Sequence, residues 1–433
     1  MDYLIFAYVA ILLLVALFST RLMRVIKLPN VTGYIITGII MGPFIFGLLF
    51  NNFTFENIDK SKIYEFVDKI GWVSTVALGF IAFSIGTSFK KDTIKSLGKR
   101  VIVITILESF GASLLVIIAL FVAHLLSKGQ VSLELVLTLS AIASATAPAA
   151  TLMVIKQYNA RGPLVNTLLP VVALDDAAAL ILFAVLFQLA SALAGGTISP
   201  YSIVVKPLLE ITISLAVGTA LGFFISLKNR FFKSRNNRLI WCIFSIFAAL
   251  GIYYLFKLEN MGGFELSSLL ICMMAGAIYT NFVKDSNRTL DVMDRFTSPI
   301  YMMFFVISGA SLDLRVFFDK NGLFVLLIAL IYIIFRVVGK WLGAFTGASI
   351  THTEPQVKKY LGFALVPQAG VAIGLSTTAY KIFSISEDPK IKETGALILA
   401  IILTSTLVYE LIGPMVAKFA LSKAHEIPEE NAK

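Results

Sequence analysis

Asp175 and Asp176 stand side by side in Leu169-Pro-Val-Val-Ala-Leu-Asp175-Asp176-Ala-Ala-Ala-Leu180, after thirteen uncharged residues and before a longer apolar run. If this segment crosses a bilayer, both acids lie near mid-depth. An ionisable side chain is expensive there and marks an ion path or a proton relay. A carboxylate so placed can release a proton, take a monovalent cation and reverse. Consecutive helical residues point about 100° apart, so the two acids can do different jobs, one pairing with a base and the other facing the ion path. Candidate bases lie in another apolar run: Arg336 and Lys340 are four apart and share a helix face. Glu108 is a third buried acid, expected to form a supporting pair with Arg336, because an unpaired buried charge costs several kcal/mol. Glu210 and Glu410 are expected to be structural or interfacial.

The elements that must position these groups are membrane spans. The chain of 433 residues is 58% hydrophobic and only 14% charged, with mean hydropathy +0.87. Soluble domains carry about 25% charged residues. Apolar runs of membrane length recur near 3–20, 29–50, 70–88, 101–126, 133–155, 163–190, 201–227, 239–256, 266–283, 297–314, 322–349, 359–381 and 394–418. The expected fold is therefore an all-α polytopic membrane protein of about 13 transmembrane helices. Basic residues crowd the connections on one side, as in Lys90, Lys91, Lys95, Lys99 and Arg100, or Lys228, Arg230, Lys233, Arg235 and Arg238. The positive-inside rule then puts the N-terminus outside and the C-terminus in the cytoplasm. The net charge of +10 is thus a topology signal, and a nucleic-acid partner loses its support.

The remaining inventory is bland. Cys242 and Cys272 fall in apolar runs and read as small core residues; the three histidines are scattered, so no metal cluster or cofactor is expected. The N-terminal stretch reads as a first span rather than a removed signal. Residues Phe53–Lys69 are expected to form a short amphipathic surface helix through Ile58, Ile63 and Phe66. Residues 419–433 are expected to be a short polar tail, and no glycine-rich nucleotide fingerprint follows the last span.

Two spans are interrupted. Ser140-Ala-Ile-Ala-Ser144-Ala-Thr146-Ala-Pro148 breaks the fifth span, since proline removes a helix donor and small or hydroxyl residues can satisfy the freed backbone. Val366-Pro367-Gln368-Ala-Gly370 breaks the twelfth; Gln368 either compensates helix ends or lines the path. Seven steps of span order separate the breaks. That spacing suggests six-helix inverted repeats, 1–190 and 239–418, around a linker helix at 201–227, with two crossed discontinuous helices and the substrate where the half-helices meet.

Taken together, Asp175-Asp176, Thr146-Ala147-Pro148 and Gly339-Lys340-Trp-Leu-Gly343 resemble the monovalent cation:proton antiporters, in particular their second branch, over essentially the whole chain from Leu28-Pro-Asn-Val-Thr-Gly33 to Pro367-Gln368. The resemblance implies that Asp176 is the essential cation and proton site. It also implies that Asp175 forms a switchable ion pair with Lys340, and that Ser144 and Thr146 lie beside the ion. Two acids with that lysine imply an electrogenic cycle. Homodimers in the bacterial cell membrane, surrounded by lipid, follow from the same likeness. Ala147 departs from relatives that carry an acid after the threonine, and the nucleotide-binding domain of some potassium exchangers has no counterpart here.

The expected activity is exchange of Na⁺, or Li⁺, for H⁺ by alternating access, with K⁺/H⁺ exchange as the alternative. An ion channel would want a continuous polar pore and a filter. An intramembrane aspartyl protease would need its acids facing each other across a site, which adjacent residues on one helix do not provide. An organic-anion symporter is disfavoured by the buried acid pair.

Overall fold

The computed structural model describes residues 4–43, 45, 60–127, 130–195, 201, 205–228, 234–258, 266–283, 286–311 and 322–428, and among these no strand occurs. The helices are α1 (Leu4–Val25), α2 (Asn30–Met41), α3 (Lys60–Ile70), α4 (Trp72–Gly86), α5 (Lys91–Leu126), α6 (Leu133–Ile142), α7 (Pro148–Tyr158), α8 (Pro163–Leu193), α9 (Lys206–Lys228), α10 (Arg235–Leu258), α11 (Ser268–Phe282), α12 (Ser286–Ala310), α13 (Gly322–Ile350), α14 (Pro355–Ala364), α15 (Gly370–Ser384) and α16 (Pro389–Lys423). Eight segments among the described residues are long and apolar enough to cross a membrane. The other expected spans fall on the shorter helices α2 and α11, on the interrupted pairs α6 with α7 and α14 with α15, and on the 25-residue α12, so the protein is a polytopic all-α membrane protein. Large apolar side chains point outward along these helices, including Leu17, Phe18, Leu126 and Leu258, a surface suited to lipid rather than water.

Local chemistry explains several helix ends. Ser132 accepts the Leu135 N–H at 3.2 Å to cap α6, Ser267 accepts the Leu270 N–H at 3.3 Å to cap α11, and Asp388 accepts the Lys390 N–H at 2.9 Å to start α16. Proline opens α7, α8, α14 and α16, where its missing N–H costs nothing. Asn159 ends α7 in the left-handed conformation, at φ 49°.

The chain forms two compact units, each built from two separate stretches. One comprises Met1–Lys90 and Ser214–Leu314. In it α2 lies along α12 and α4 along α11. Its core gathers Tyr8, Leu12, Ile63, Phe66, Met303 and Val306. The Tyr8 hydroxyl donates to Met41 O at 2.9 Å. The helix expected to lie on the surface is thus packed inward through Ile63 and Phe66; Ile58 lies outside the described residues.

The second unit comprises Lys91–Ile213 and Arg315–Ala432 and holds every candidate ion-site residue. Its longest contact is α5 against α13. Gly339 and Gly343 make that contact possible: a Cβ at Gly339 would lie 2.5 Å from Gly111 O, and one at Gly343 would collide with Leu107 O. Small residues four apart let membrane helices touch backbone to backbone. This places Lys340, between the two glycines, directly against Glu108. Around this pair, α6 packs on α8, and α14 and α15 pack on α16.

Candidate functional site

Both expected breaks are full interruptions. The chain leaves α6 at Ile142, runs without helix to Ala147, and re-enters helix at Pro148; α14 ends at Ala364 and α15 begins at Gly370. The two gaps touch, with Ala147 N–H donating to Pro367 O at 2.8 Å and Thr151 Oγ1 to Ala364 O at 3.1 Å. Interrupting a helix exposes carbonyls at its C-terminal end, which carries partial negative charge.

Arg336, from α13, answers those carbonyls. Its Nε donates to Ala143 O at 2.9 Å, Nη1 to Val366 O at 2.8 Å and Nη2 to Ala145 O at 2.6 Å, while the guanidinium lies 4.6 Å from the Tyr409 ring centre. Gln368 assists from the other gap: Nε2 donates to Ile142 O at 3.0 Å, and Oε1 accepts from the Tyr332 hydroxyl at 3.1 Å. One fork therefore ties both interrupted helices together. The expected Glu108–Arg336 pair does not form, because backbone carbonyls fill the guanidinium's reach.

Glu108 goes to Lys340 instead, its Oε2 2.7 Å from the ammonium. The contact is an ion pair without hydrogen-bond alignment. Lys340 Nζ also donates to Asp175 Oδ2 at 2.7 Å and to Thr146 Oγ1 at 2.6 Å. Asp175 is satisfied on both oxygens, since Ser109 Oγ donates to Oδ1 at 2.5 Å and Thr146 Oγ1 donates to Oδ2. Glu108, Asp175 and Lys340 are wholly buried. Two carboxylates share one ammonium, so the cluster already holds an excess of acid, and Asp176 adds a third.

Asp176 differs from its neighbour. It is 7% exposed, and its Oδ1 has no hydrogen-bond partner. A buried carboxylate oxygen without a donor is either protonated or in need of a cation, because leaving it bare costs the full desolvation penalty. The 100° turn between consecutive residues separates the two acids: Asp175 faces Lys340 on α13 and Thr146 in the gap, while Asp176 points elsewhere.

The other expected residues fall in varied places. Pro148 opens α7, and Pro367 supplies the carbonyl that joins the gaps. Ser144 is buried, but its hydroxyl donates to Ala141 O at 3.1 Å, within its own segment. Glu210 makes a half-buried pair with Lys206 at 3.9 Å, and Glu410 is buried in α16. Sequence reasoning missed Ser109, which bridges Asp175 and Glu108, and Tyr332 with Tyr409, which flank Arg336. Tyr332 sits one helical turn before Arg336, a spacing that could have flagged it.

Residues 9–421 match the family model described as "Sodium/hydrogen exchanger, transmembrane". Among curated proteins none matches the chain. Among solved structures, the sodium proton antiporter MjNhaP1 from Methanocaldococcus jannaschii at pH 8 superposes with TM-score 0.72 at 17% identity, covering 98% of both chains. An electron-microscopy map of the same antiporter gives TM-score 0.71 at 16% identity, again over 98% of each chain. At that identity the likeness establishes the fold, and neither match carries the expected placement in the second antiporter branch. The family model spans both interrupted helices, the acid pair and Lys340. The chain belongs to the sodium/hydrogen exchanger family, a family of transporters rather than enzymes.

Proposed function

We propose that the chain exchanges Na⁺ for H⁺ across the cell membrane by alternating access, in an electrogenic cycle carried by Asp176. The observation behind this reading is the buried, unpartnered Oδ1 of Asp176 beside an Asp175 that Lys340, Thr146 and Ser109 fully occupy. One carboxylate cannot hold a cation and a proton together at tolerable cost, so the two ions compete for the same atom. Cation arrival at Asp176 brings a second positive charge beside the Asp175–Lys340 pair and loosens it. Asp175 then adds an oxygen to the cation, with Thr146 as a neutral neighbour. Proton arrival on the opposite side reverses these steps and expels the cation. The net charge moved per cycle is a second proton, released from the Glu108–Lys340–Asp175 cluster when the cation loosens it and taken back when the cation leaves, because Asp176 alone would exchange one positive charge for another.

The wider proposal keeps inverted repeats, an outside N-terminus and a cytoplasmic C-terminus. It also keeps a homodimer in lipid: the apolar windows of α1, α9 and α10 are only 17%, 22% and 28% buried within the chain, leaving faces for acyl chains and a second copy.

Cation-driven proton flux in sealed vesicles, measured with Na⁺, Li⁺ and K⁺ across pH, tests this reading. Na⁺ or Li⁺ is expected to drive flux, and D176N to abolish it. Flux with K⁺ alone would move the chain to potassium exchange, and flux retained in D176N would remove Asp176 from its role.

A further inference from the structure

Beyond α16 the sequence predicts a short polar tail. It docks instead: Ala424, Glu426 and Ile427 are buried. Glu426 lies past the residues matched by the family model, 9–421. His425 takes a left-handed backbone, at φ 58°, and turns the chain back so that Glu426 N–H donates to Leu421 O at 3.1 Å. Arg161 N–H donates to Glu426 O at 2.9 Å. The side chain is thereby aimed at the first turn of α8. Its Oε1 accepts the Leu164 N–H at 2.6 Å and its Oε2 the Val165 N–H at 2.9 Å.

This helix has no cap of its own. A helix start leaves four N–H groups without partners, normally relieved by a Ser, Thr, Asp or Asn just ahead of it. Here that position is Gly162, which has no side chain, and the next is Pro163, which has no N–H. A carboxylate 262 positions away in sequence does the capping. The charge suits the positive end of the helix, and hydrogen bonds to an ionised acceptor are the strong kind. Space is made for it as well, because a Cβ at Gly162 would lie 2.5 Å from Glu426 Oε1.

We propose that Glu426 is a positioning residue for the ion site, fixing the first turn of α8 and thereby the depth at which Asp175 and Asp176 stand. The inference rests on the exchange reading given above. Leu164 and Asp176 are about 18 Å apart along a helix rising about 1.5 Å per residue, so Glu426 acts through α8 and not by contact. Pro170, inside α8, lacks the N–H that would bond Asn166 O, so the first two turns are held to the rest by one bond fewer. Their placement comes from outside, from the carboxylate and from Leu164, Val165 and Leu168 packing with Leu421, Ala424 and Ile427.

The test uses the full chain in proteoliposomes, with E426A and E426Q compared with the parent at matched amounts of folded protein. For the cation that drives flux, E426A is expected to raise the apparent KM about fivefold, the equilibrium equivalent of a lost N-cap, and to shift the pH profile. E426Q keeps one acceptor oxygen and falls between; it carries the test if E426A does not fold. Hydrogen–deuterium exchange is read in parallel, and is expected to quicken in α8 from Leu164 through Asp176. An unchanged KM and pH profile, with quickening confined to the residues before Pro170, would overturn the proposal. Absence of flux in the parent would sink the exchange reading, while the deuterium measurement would still decide whether Glu426 governs α8 as far as the acids.

Discussion

Arg336 and Lys340 are two buried cations one turn apart on α13, and they have opposite surroundings. Arg336 is held by three backbone carbonyls from two interrupted helices. Lys340 is held by two carboxylates and a hydroxyl. Carbonyls do not titrate, and they shift only if the backbone shifts, so the arginine is a fixed charge that joins the crossing. Carboxylates take protons and cations, so the lysine's partnership can be broken and remade without disturbing a helix. The geometry of the side chains agrees: a planar fork with five N–H groups suits several fixed acceptors, whereas a compact ammonium on a flexible stem suits partners that change. A single helix thus carries a fastening and a switch.

Substitution can separate these roles, beginning with the largest effect. R336M strands three buried carbonyls at about 1–3 kcal/mol each, enough to cost the folded state. Its expected outcome is loss of monodisperse protein on size-exclusion chromatography, with no rescue from a second side-chain change. K340M leaves Asp175 and Glu108 without their cation and is expected to destabilise by about 3–5 kcal/mol in thermal unfolding. Adding D175N should recover part of that stability but no cation-driven flux. If R336M proved as easily rescued as K340M, the contrast between fastening and switch would fail.

A pH series probes the switch side. Below the pKa of the carrier carboxylate, each unit of acidification should raise the apparent Na⁺ KM about tenfold with the maximal rate little changed, as competition for one group requires. A KM indifferent to pH would mean separate sites for the two ions. Smaller again, Y332F removes a hydroxyl that serves Gln368 and should cost about 1 kcal/mol in unfolding without moving the KM. Smallest, E210Q weakens a half-buried pair with Lys206, 3.9 Å long, and should change stability by about 0–1 kcal/mol.

The features readable in advance were those written in residue type and local spacing. Asp175-Asp176 at mid-span, the proline breaks and the shared face of Arg336 and Lys340 needed no tertiary information. Partner choice did. Four residues at about 100° each bring Lys340 round about 40° from Arg336, enough to send the two cations to different neighbours. Which neighbours depends on where α5 crosses α13, and Gly339 and Gly343 against Gly111 decide that. A serine beside a glutamate gave no hint that Ser109 would reach Asp175, 66 positions away. The docked tail was illegible for the same reason, since its capping contact spans 262 positions of sequence and leaves no local pattern.

The fork that joins the two interrupted helices has a consequence for how the protein is made. Arg336 Nε reaches Ala143 O across 193 positions of sequence. At about 5–20 residues per second, synthesis delivers α6 and α7 about 10–40 s before the arginine that satisfies their gap. During that interval the open carbonyls of Ala143 and Ala145 sit in a half-made protein, needing water, lipid headgroups or the insertion machinery as a stand-in. Assembly in the membrane is therefore gated by the arrival of α13, and a nascent chain halted ahead of it holds the acid pair without its closing cation.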